Sequence, residues 1–450
     1  MKTKNKTIAF LEIAIVLCSV LLVALPAIAA EQTMQKVSAN TVTTASEDDY
    51  VLDIYGNANE DDTIDMRDLT YVKLIFFGKK PVTELADAKY DGKLNPLDFI
   101  QIKLIIVGKE KELTIVDSAD RIVTVKKPIT KMMVYGQALH QIVRTLKSED
   151  KLVATDRDVQ EVWSTLFPEL VGLPIWGTYK ERDYELIYAL HPDIFISMVQ
   201  APLFSVSAVQ QEDISKLEPE GIKVILLAHR HPAELLKTVR KLGYVLDQRD
   251  EAEEFINFYE GLMDTITERT ELLPEEDKPR VYIANTRKYK TSGKGTAYSE
   301  YVKMAGGISI SADEPSLDEL TYVEIDPEWL IKQNPDVFVF RVGYYTIQGY
   351  GQDDVSVAKS VQEDILNSPE LANVKAIQDE RVYLFGQATT AAASFLCIGY
   401  MAKWFYPDLF DDLDMKAIHQ EYLDRFQRLD YDVDKQGVFM YPPLYGPALT

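Results

Sequence analysis

The sequence predicts an α/β protein. Two lobes with parallel-type sheets are bridged by one long helix and preceded by a small all-α module built on calcium-type loops. Three observations carry that prediction. First, seven short apolar, β-rich runs alternate with helical patterns: "KMMVY", "KLVAT", "DIFISM", "KVILLA", "RVYIAN", "DVFVFR" and "RVYLFG". Strands spaced by helices argue for parallel layers. Second, one corner is written twice, as "YELIYALHPDIFIS" (184–197) and "PEWLIKQNPDVFVF" (327–340). Glu185 precedes Asp193, and Glu328 precedes Asp336, by the same interval. Third, a helical pattern with few breakers runs from Arg249 to Pro274, between the two copies.

At the N-terminus, Lys2, Lys4 and Lys6 precede the apolar run "IAFLEIAIVLCSVLLVALP" and the small residues "AIAA". Residues 1–30 therefore read as an export signal, with retention as a membrane anchor the alternative. Leu17 occupies the place where lipid attachment at Cys18 would need a small residue. After cleavage only Cys397 remains, so no internal disulfide is expected. Residues 31–48, rich in Thr and Ser, read as a linker. The chain has 48 Lys+Arg against 71 Asp+Glu. With no basic tract to hold phosphates, nucleic acid is excluded as a partner.

The segment 49–111 holds a repeat at an offset of thirty residues: "NANEDDTIDMRDLTYVKLIFFGK" from Asn57 and "DAKYDGKLNPLDFIQIKLIIVGK" from Asp87. A Ca²⁺ loop needs oxygen donors at alternate positions, a carbonyl at the seventh and a carboxylate at the twelfth. The first loop offers Asn57, Asn59, Asp61, the Thr63 carbonyl, Asp65 and Asp68. The second offers Asp87, Asp91, the Lys93 carbonyl, Asn95 and Asp98. The segment resembles the dockerin module, which implies bound Ca²⁺ and a cohesin-like or cell-surface partner. Two residues depart from the pattern. Lys89 puts a cation at the third position of loop two, and Asp62 stands where loop one would prefer Gly, as Gly92 does in loop two. Calcium is expected in the first loop rather than the second.

The two corners imply similarly built lobes, 113–246 and 276–450, joined by a bridging segment 247–275. In the bridge Ala252, Phe255, Ile256, Tyr259, Leu262, Met263 and Ile266 follow helical spacing. A rigid helix there would hold a cleft at fixed width. The stretches "TIVDSADRIVTVKKPITKMMVYG", "LPIWGTYKERDYELIYALHPDIFIS", "TSGKGTAYSEYVKMAGGISI" and "LANVKAIQDERVYLF" stand in the order seen in substrate-binding proteins of ABC importers for iron chelates and corrinoids. The resemblance implies an exported, monomeric binding protein that delivers a metal chelate (ferric siderophore, haem or corrinoid) to an ABC permease. It also implies that Glu185 and Glu328 dock on Arg residues of that permease.

Ligand candidates lie on loops after strands, where the crevice of such folds opens. Lobe one offers Tyr135, Gln137, Trp176, Tyr179, His229 and Arg230. Lobe two offers Arg287, Tyr289, Lys294, Arg341, Tyr344 and Gln387. Aromatic faces suit a flat chelate, and Arg or Lys suits its anionic groups. Trp176 matches a Trp of the corrin-binding members. His229 and His231 read as ordinary loop histidines, with an axial metal ligand as the alternative. The chain lacks G-x-S-x-G, H-E-x-x-H, P-loop and dinucleotide motifs, so no enzyme is expected. The competing readings are a cell-surface adhesion protein acting through the dockerin-like module and a chelatase-like enzyme.

Overall fold

The computed structural model describes residues 50–199, 204–312, 314, 322–343 and 345–444. The export segment and the linker lie outside these residues. The chain divides into two compact units between Glu110 and Lys111.

The small unit contains the helices α1 (Met66–Phe76) and α2 (Pro96–Ile106). Both start in a capping box, Asp65 with Asp68 and Asn95 with Asp98. Both stop at a glycine with positive φ, Gly78 and Gly108, the backbone state that ends helices. The thirty-residue repeat thus becomes two copies of one loop–helix unit. Leu69, Val72, Ile102 and Ile105 are buried in its core.

The large unit opens with an antiparallel hairpin, β1 (Glu112–Val116) and β2 (Ile122–Lys126). Lobe one is a five-stranded sheet in the order β5-β4-β3-β6-β7. Its strands are β3 (Met132–Val134), β4 (Leu152–Asp156), β5 (Ile175–Gly177), β6 (Ile194–Val199) and β7 (Lys223–Ala228). Every pairing is parallel. Helix α3 (Gln137–Thr145) follows β3, and α4 (Tyr184–Leu190) leads into β6.

Helix α5 (Arg249–Thr270) separates the lobes in sequence, and its 22 residues extend about 33 Å. All seven apolar residues expected on one face are buried. It ends four residues before Pro274, which disfavours helical backbone in the residue ahead of it. The helix packs on both lobes. Lys147 of lobe one reaches Glu251, and the Tyr259 hydroxyl lies 3.1 Å from Ser394 Oγ of lobe two.

Lobe two is built on β8 (Arg280–Asn285), β9 (Arg287–Ser292), α6 (Ala297–Met304), β10 (Ile308–Ser309), β11 (Tyr322–Glu324), α7 (Pro327–Gln333), β12 (Val337–Arg341), β13 (Val382–Phe385) and β14 (Met440–Tyr441). The sheet order is β11-β9-β8-β12-β13-β14, with β10 also on β8. β10, β8, β12 and β13 pair in parallel, while β9, β11 and β14 add antiparallel edges. The expected α/β layers are present in both lobes, but lobe two is mixed where a parallel sheet was expected.

The repeated corner has one backbone solution. Asp183 and Asp326 cap α4 and α7. His191 and Asn334 end these helices in the left-handed region with φ 46° in each case. The following Pro-Asp opens β6 and β12.

Candidate ligand-binding cleft

The carboxyl ends of the parallel strands of both lobes surround a cavity of about 100 Å³. Tyr135, Gly136 and Gln137 come from the end of β3, Asp158 from beyond β4, Met198 from β6, and His229 and Arg230 from beyond β7. Lobe two contributes Ala297, Tyr298 and Tyr301 at the start of α6, Tyr322 of β11, Arg341 at the end of β12, and Gln387 and Ala391 beyond β13. This is where open α/β sheets place ligands.

Gly136 makes the turn from β3 into α3 with φ 87°, a state that glycine reaches without strain. Its N–H donates to Asp156 Oδ2 at 2.8 Å. Gln137 Nε2 donates to Gln141 Oε1 at 2.5 Å. Burial, and then the charge of Asp156, pushes the Tyr135 phenol up to about 12. Burial, and then Arg230, pushes His229 down to about 3, so its imidazole is neutral at pH 7. Its Nδ1 is buried without a hydrogen-bond partner among the described residues. Arg341 Nη2 donates to Gln387 Oε1 at 2.9 Å, while its Nε is buried and unpaired among the described residues. Burial pushes Tyr322 up to about 12, keeping that phenol protonated as a donor. Arg230 and Arg341, from opposite lobes, line the cavity together with Asp158, whose carboxyl pKa burial raises.

Six of the sequence candidates meet at this cavity: Tyr135, Gln137, His229, Arg230, Arg341 and Gln387. Five do not. Trp176 is fully buried in the lobe-one core, with the Arg182 guanidinium 4.9 Å over its ring and Phe195 at 5.1 Å. It backs Tyr135, at 6.1 Å. Tyr179 also packs behind Tyr135, at 5.5 Å. Arg287 is largely exposed and pairs with Glu324 at 2.6 Å. The Tyr289 hydroxyl donates to Glu370 at 2.6 Å, and Lys294 stands exposed at a loop tip. Tyr344 lies outside the described residues. The lining residues Tyr298, Tyr301 and Tyr322 are additions; the first two sit in the loop-and-helix stretch that the sequence pointed to, three residues apart on one helical face.

In the small unit, Asn57 Nδ2 donates to the carbonyls of Leu52 and Asp61 at 2.9 and 2.5 Å. Its Oδ1 is left buried and unpaired among the described residues. Asp68 accepts the amides of Asn59 and Asp65 at 3.1 and 2.7 Å. In loop two, Asp87 accepts the amides of Asp91 and Gly92 at 3.2 and 2.8 Å. Asp98 accepts those of Lys89 and Asn95 at 3.0 and 2.8 Å. Among the described residues no three His, Cys, Asp or Glu side chains form a metal-holding group; the donors here are mixed Asn, Asp and carbonyl oxygens.

Two α/β lobes, a long helix packed on both, and a cavity at the strand ends between them define a two-lobed binding protein. A family model described as "Periplasmic binding protein" matches residues 133–389, more than half of the chain, and the chain belongs to that family. It is a substrate-binding protein of the ABC-importer type, extracytoplasmic by family, and not an enzyme. The chain is 22% identical over 358 residues to the molybdate-binding protein MolA of Haemophilus influenzae, covering 74% of this chain and 93% of MolA. The TroA-like periplasmic binding protein FepB from Veillonella parvula superposes with a TM-score of 0.60 at 20% identity, over 73% of this chain and 98% of FepB. Helicobacter pylori CeuE, solved as a nickel–histidine complex, superposes at 0.54 with 19% identity, over 71% and 96% of the two chains.

Proposed function

We propose that the chain carries a compact metal oxyanion of the molybdate class to its permease. One observation carries this reading: Arg230 and Arg341 reach a single cavity of about 100 Å³ from opposite lobes, with Arg341 Nε buried and unpaired. A buried guanidinium N–H without an acceptor favours an anionic oxygen. The N-terminal end of α6, at Ala297, faces the same space, and helix N-termini favour anions. Drug-sized ligands occupy roughly 300–1,000 Å³, so this cavity suits a compact anion better than a siderophore, haem or corrinoid. The molybdate-binding relative supports the same choice. A second reading rests on His229. Its neutral imidazole with a free nitrogen suits a small anionic metal chelate with an open coordination position.

Calorimetric titration with molybdate, tungstate, sulfate, nickel–histidine, ferric siderophores, haem and cobalamin tests this. Molybdate or tungstate should bind most tightly. Charged hydrogen bonds contribute roughly 1.5–3 kcal/mol each, so Arg341→Ala should weaken binding by about ten- to a hundredfold. Arg287→Ala should change nothing. If no oxyanion binds below about 10 μM while a siderophore does, the oxyanion reading is wrong.

Delivery would use Glu185 and Glu328, one exposed carboxylate on each lobe, as docking points for cationic residues of the permease. The dockerin-like unit would bind Ca²⁺ at loop one through Asn57, Asn59, Asp61, the Thr63 carbonyl, Asp65 and Asp68, and a cohesin-like or cell-surface partner follows from the same resemblance. The unpaired Asn57 Oδ1 supports a cation there. Loop two fits less well, because Lys89 adds a positive charge and both Asp87 oxygens already accept backbone amides. Calcium supplied to a loop of this kind adds its binding free energy to folding. Titration of the full chain should show one site that EDTA removes and Asp61→Ala weakens; no heat on adding Ca²⁺ would end the proposal.

A further inference from the structure

One side chain joins the cleft backbones of the two lobes. Tyr301, on α6, is fully buried and lines the cavity. Its hydroxyl donates to the carbonyl of Arg230 in lobe one at 2.9 Å. It also accepts the N–H of Ala391 in lobe two at 3.1 Å. Ala391 has φ 52°, in the left-handed region that a residue with Cβ adopts only at a cost. Such a conformation persists where its surroundings over-determine it, and the bond to Tyr301 is one of those determinants. From there a short path leads to the second arginine. The N–H and hydroxyl of Thr390 donate to the Gln387 carbonyl at 3.1 and 2.8 Å. The Gln387 side chain in turn holds Arg341 at 2.9 Å.

The Tyr301 phenol thus links the Arg230 backbone to the loop that holds Arg341, while the Tyr322 phenol of lobe two bonds the Arg230 side chain. Further bonds between the lobes include Gln348 Nε2 to the Val162 carbonyl at 2.6 Å and Arg428 to Glu149 at 2.7 Å. These ties leave the lobes joined when the Tyr301 hydroxyl is removed.

We propose that Tyr301 is a positioning residue: its hydroxyl sets the spacing of the two arginines and so the size of anion that the cleft accepts. This rests on the oxyanion reading of the cleft. Molybdate and sulfate share charge and shape and differ in bond length, so their affinity ratio reads the spacing.

The test compares the wild type with Tyr301→Phe, Ala391→Gly and the double variant. In Tyr301→Phe the molybdate-to-sulfate affinity ratio should fall by about tenfold. Loss of the Tyr301 hydroxyl should cost less of the ratio in the Ala391→Gly background than in the wild type, because glycine takes the positive φ without help. A second readout needs no ligand: amide exchange across residues 387–393 should speed by about tenfold in Tyr301→Phe, with only a small change in melting temperature. An unchanged ratio together with unchanged exchange overturns the proposal. So does a variant that fails to fold, since the hydroxyl would then be a general stabiliser. If the wild type binds no oxyanion, the reading of the cleft fails and the size claim with it. The exchange result still decides whether Tyr301 pins the two loops.

Discussion

Lobe one and lobe two start their central strands from the same corner, yet the two carboxylates within each corner meet different fates. Asp193 accepts the amides of Thr130 and Lys131 at 2.7 and 2.9 Å and the Thr130 hydroxyl at 3.0 Å. Asp336 accepts the amide of Arg280 at 2.8 Å and pairs with Lys375 at 2.6 Å. Burial would raise the Asp336 carboxyl, but Lys375 and the Arg280 amide outweigh it and hold the group below the usual carboxylate range. Each Asp thus ties its corner to the start of the neighbouring strand, just before β3 in one lobe and at the first residue of β8 in the other. The two Glu residues do none of this. Glu185 and Glu328 are exposed, and among the described residues neither carboxylate has a hydrogen bond or ion pair. A residue repeated for stability finds partners in both copies. One repeated for a purpose outside the chain finds them in neither.

The sharpest way to break this division is to remove the two glutamates together. Glu185→Ala with Glu328→Ala should reduce ligand uptake in cells to background while calorimetric affinity stays at the wild-type value. Each single variant should fall between. Normal transport by the double variant would make the glutamates incidental surface residues of a repeated corner.

Removing the aspartates should do the opposite. Asp193→Ala leaves two backbone amides at the edge of lobe one without their acceptor, and Asp336→Ala leaves Lys375 without its partner. Each should lower stability in denaturant titrations by roughly 1.5–3 kcal/mol, with ligand affinity preserved in the folded fraction. A variant that keeps full stability but loses uptake would put the Asp, rather than the Glu, at the permease.

The corner was legible in the sequence because it is local. Capping Asp, apolar turn and Pro-Asp fall within some fourteen residues, and every bond that ends the helix lies inside that span. The seven apolar runs were legible for a similar reason: each becomes a largely buried strand of one of the two sheets. Strands β9 and β14 were not. β9, "RKYKTS", is polar and half exposed, and β14 has two residues, so neither has a period to detect. Only half of the candidate ligand residues reach the cavity, because residue type was used in place of direction. Lys294 at a loop tip and Arg287 at the start of β9 are exposed, whereas the helical face of Tyr298 and Tyr301 turns inward. Trp176 shows the limit of resemblance. In this chain the Arg182–Asp213 ion pair, both side chains buried, packs Arg182 over the indole and makes Trp176 a second layer behind Tyr135.

The smallest expected difference between the lobes is in their acid sensitivity. Lobe one holds His140 and His229, and lobe two holds His419; all three are buried. Burial lowers all three pKa values, to about 3 for His229 and His419. His231, also in lobe one, moves the same way for the same reason. The His229 and His419 imidazoles stay neutral in the folded chain and protonate near pH 6.5 once it unfolds. Their contribution is therefore complete above about pH 6.5 and is lost as pH falls towards 3. Between pH 7 and 6 the loss is about 0.7 kcal/mol for each of these two, and His140 and His231 act in the same direction on the lobe-one side. Asp117 and Asp213, both in lobe one and both raised by burial, push the other way. They take up protons in the folded state first and so add stability as pH falls. Amide exchange, corrected for its intrinsic pH dependence, should therefore speed in β6 and β7 before β12 and β13 as pH is taken from 7 to 6. His229→Gln should remove part of that difference. Equal acceleration in the two sheets, or an earlier one in β12 and β13, would show that the buried histidines of lobe one do not govern its response to acid.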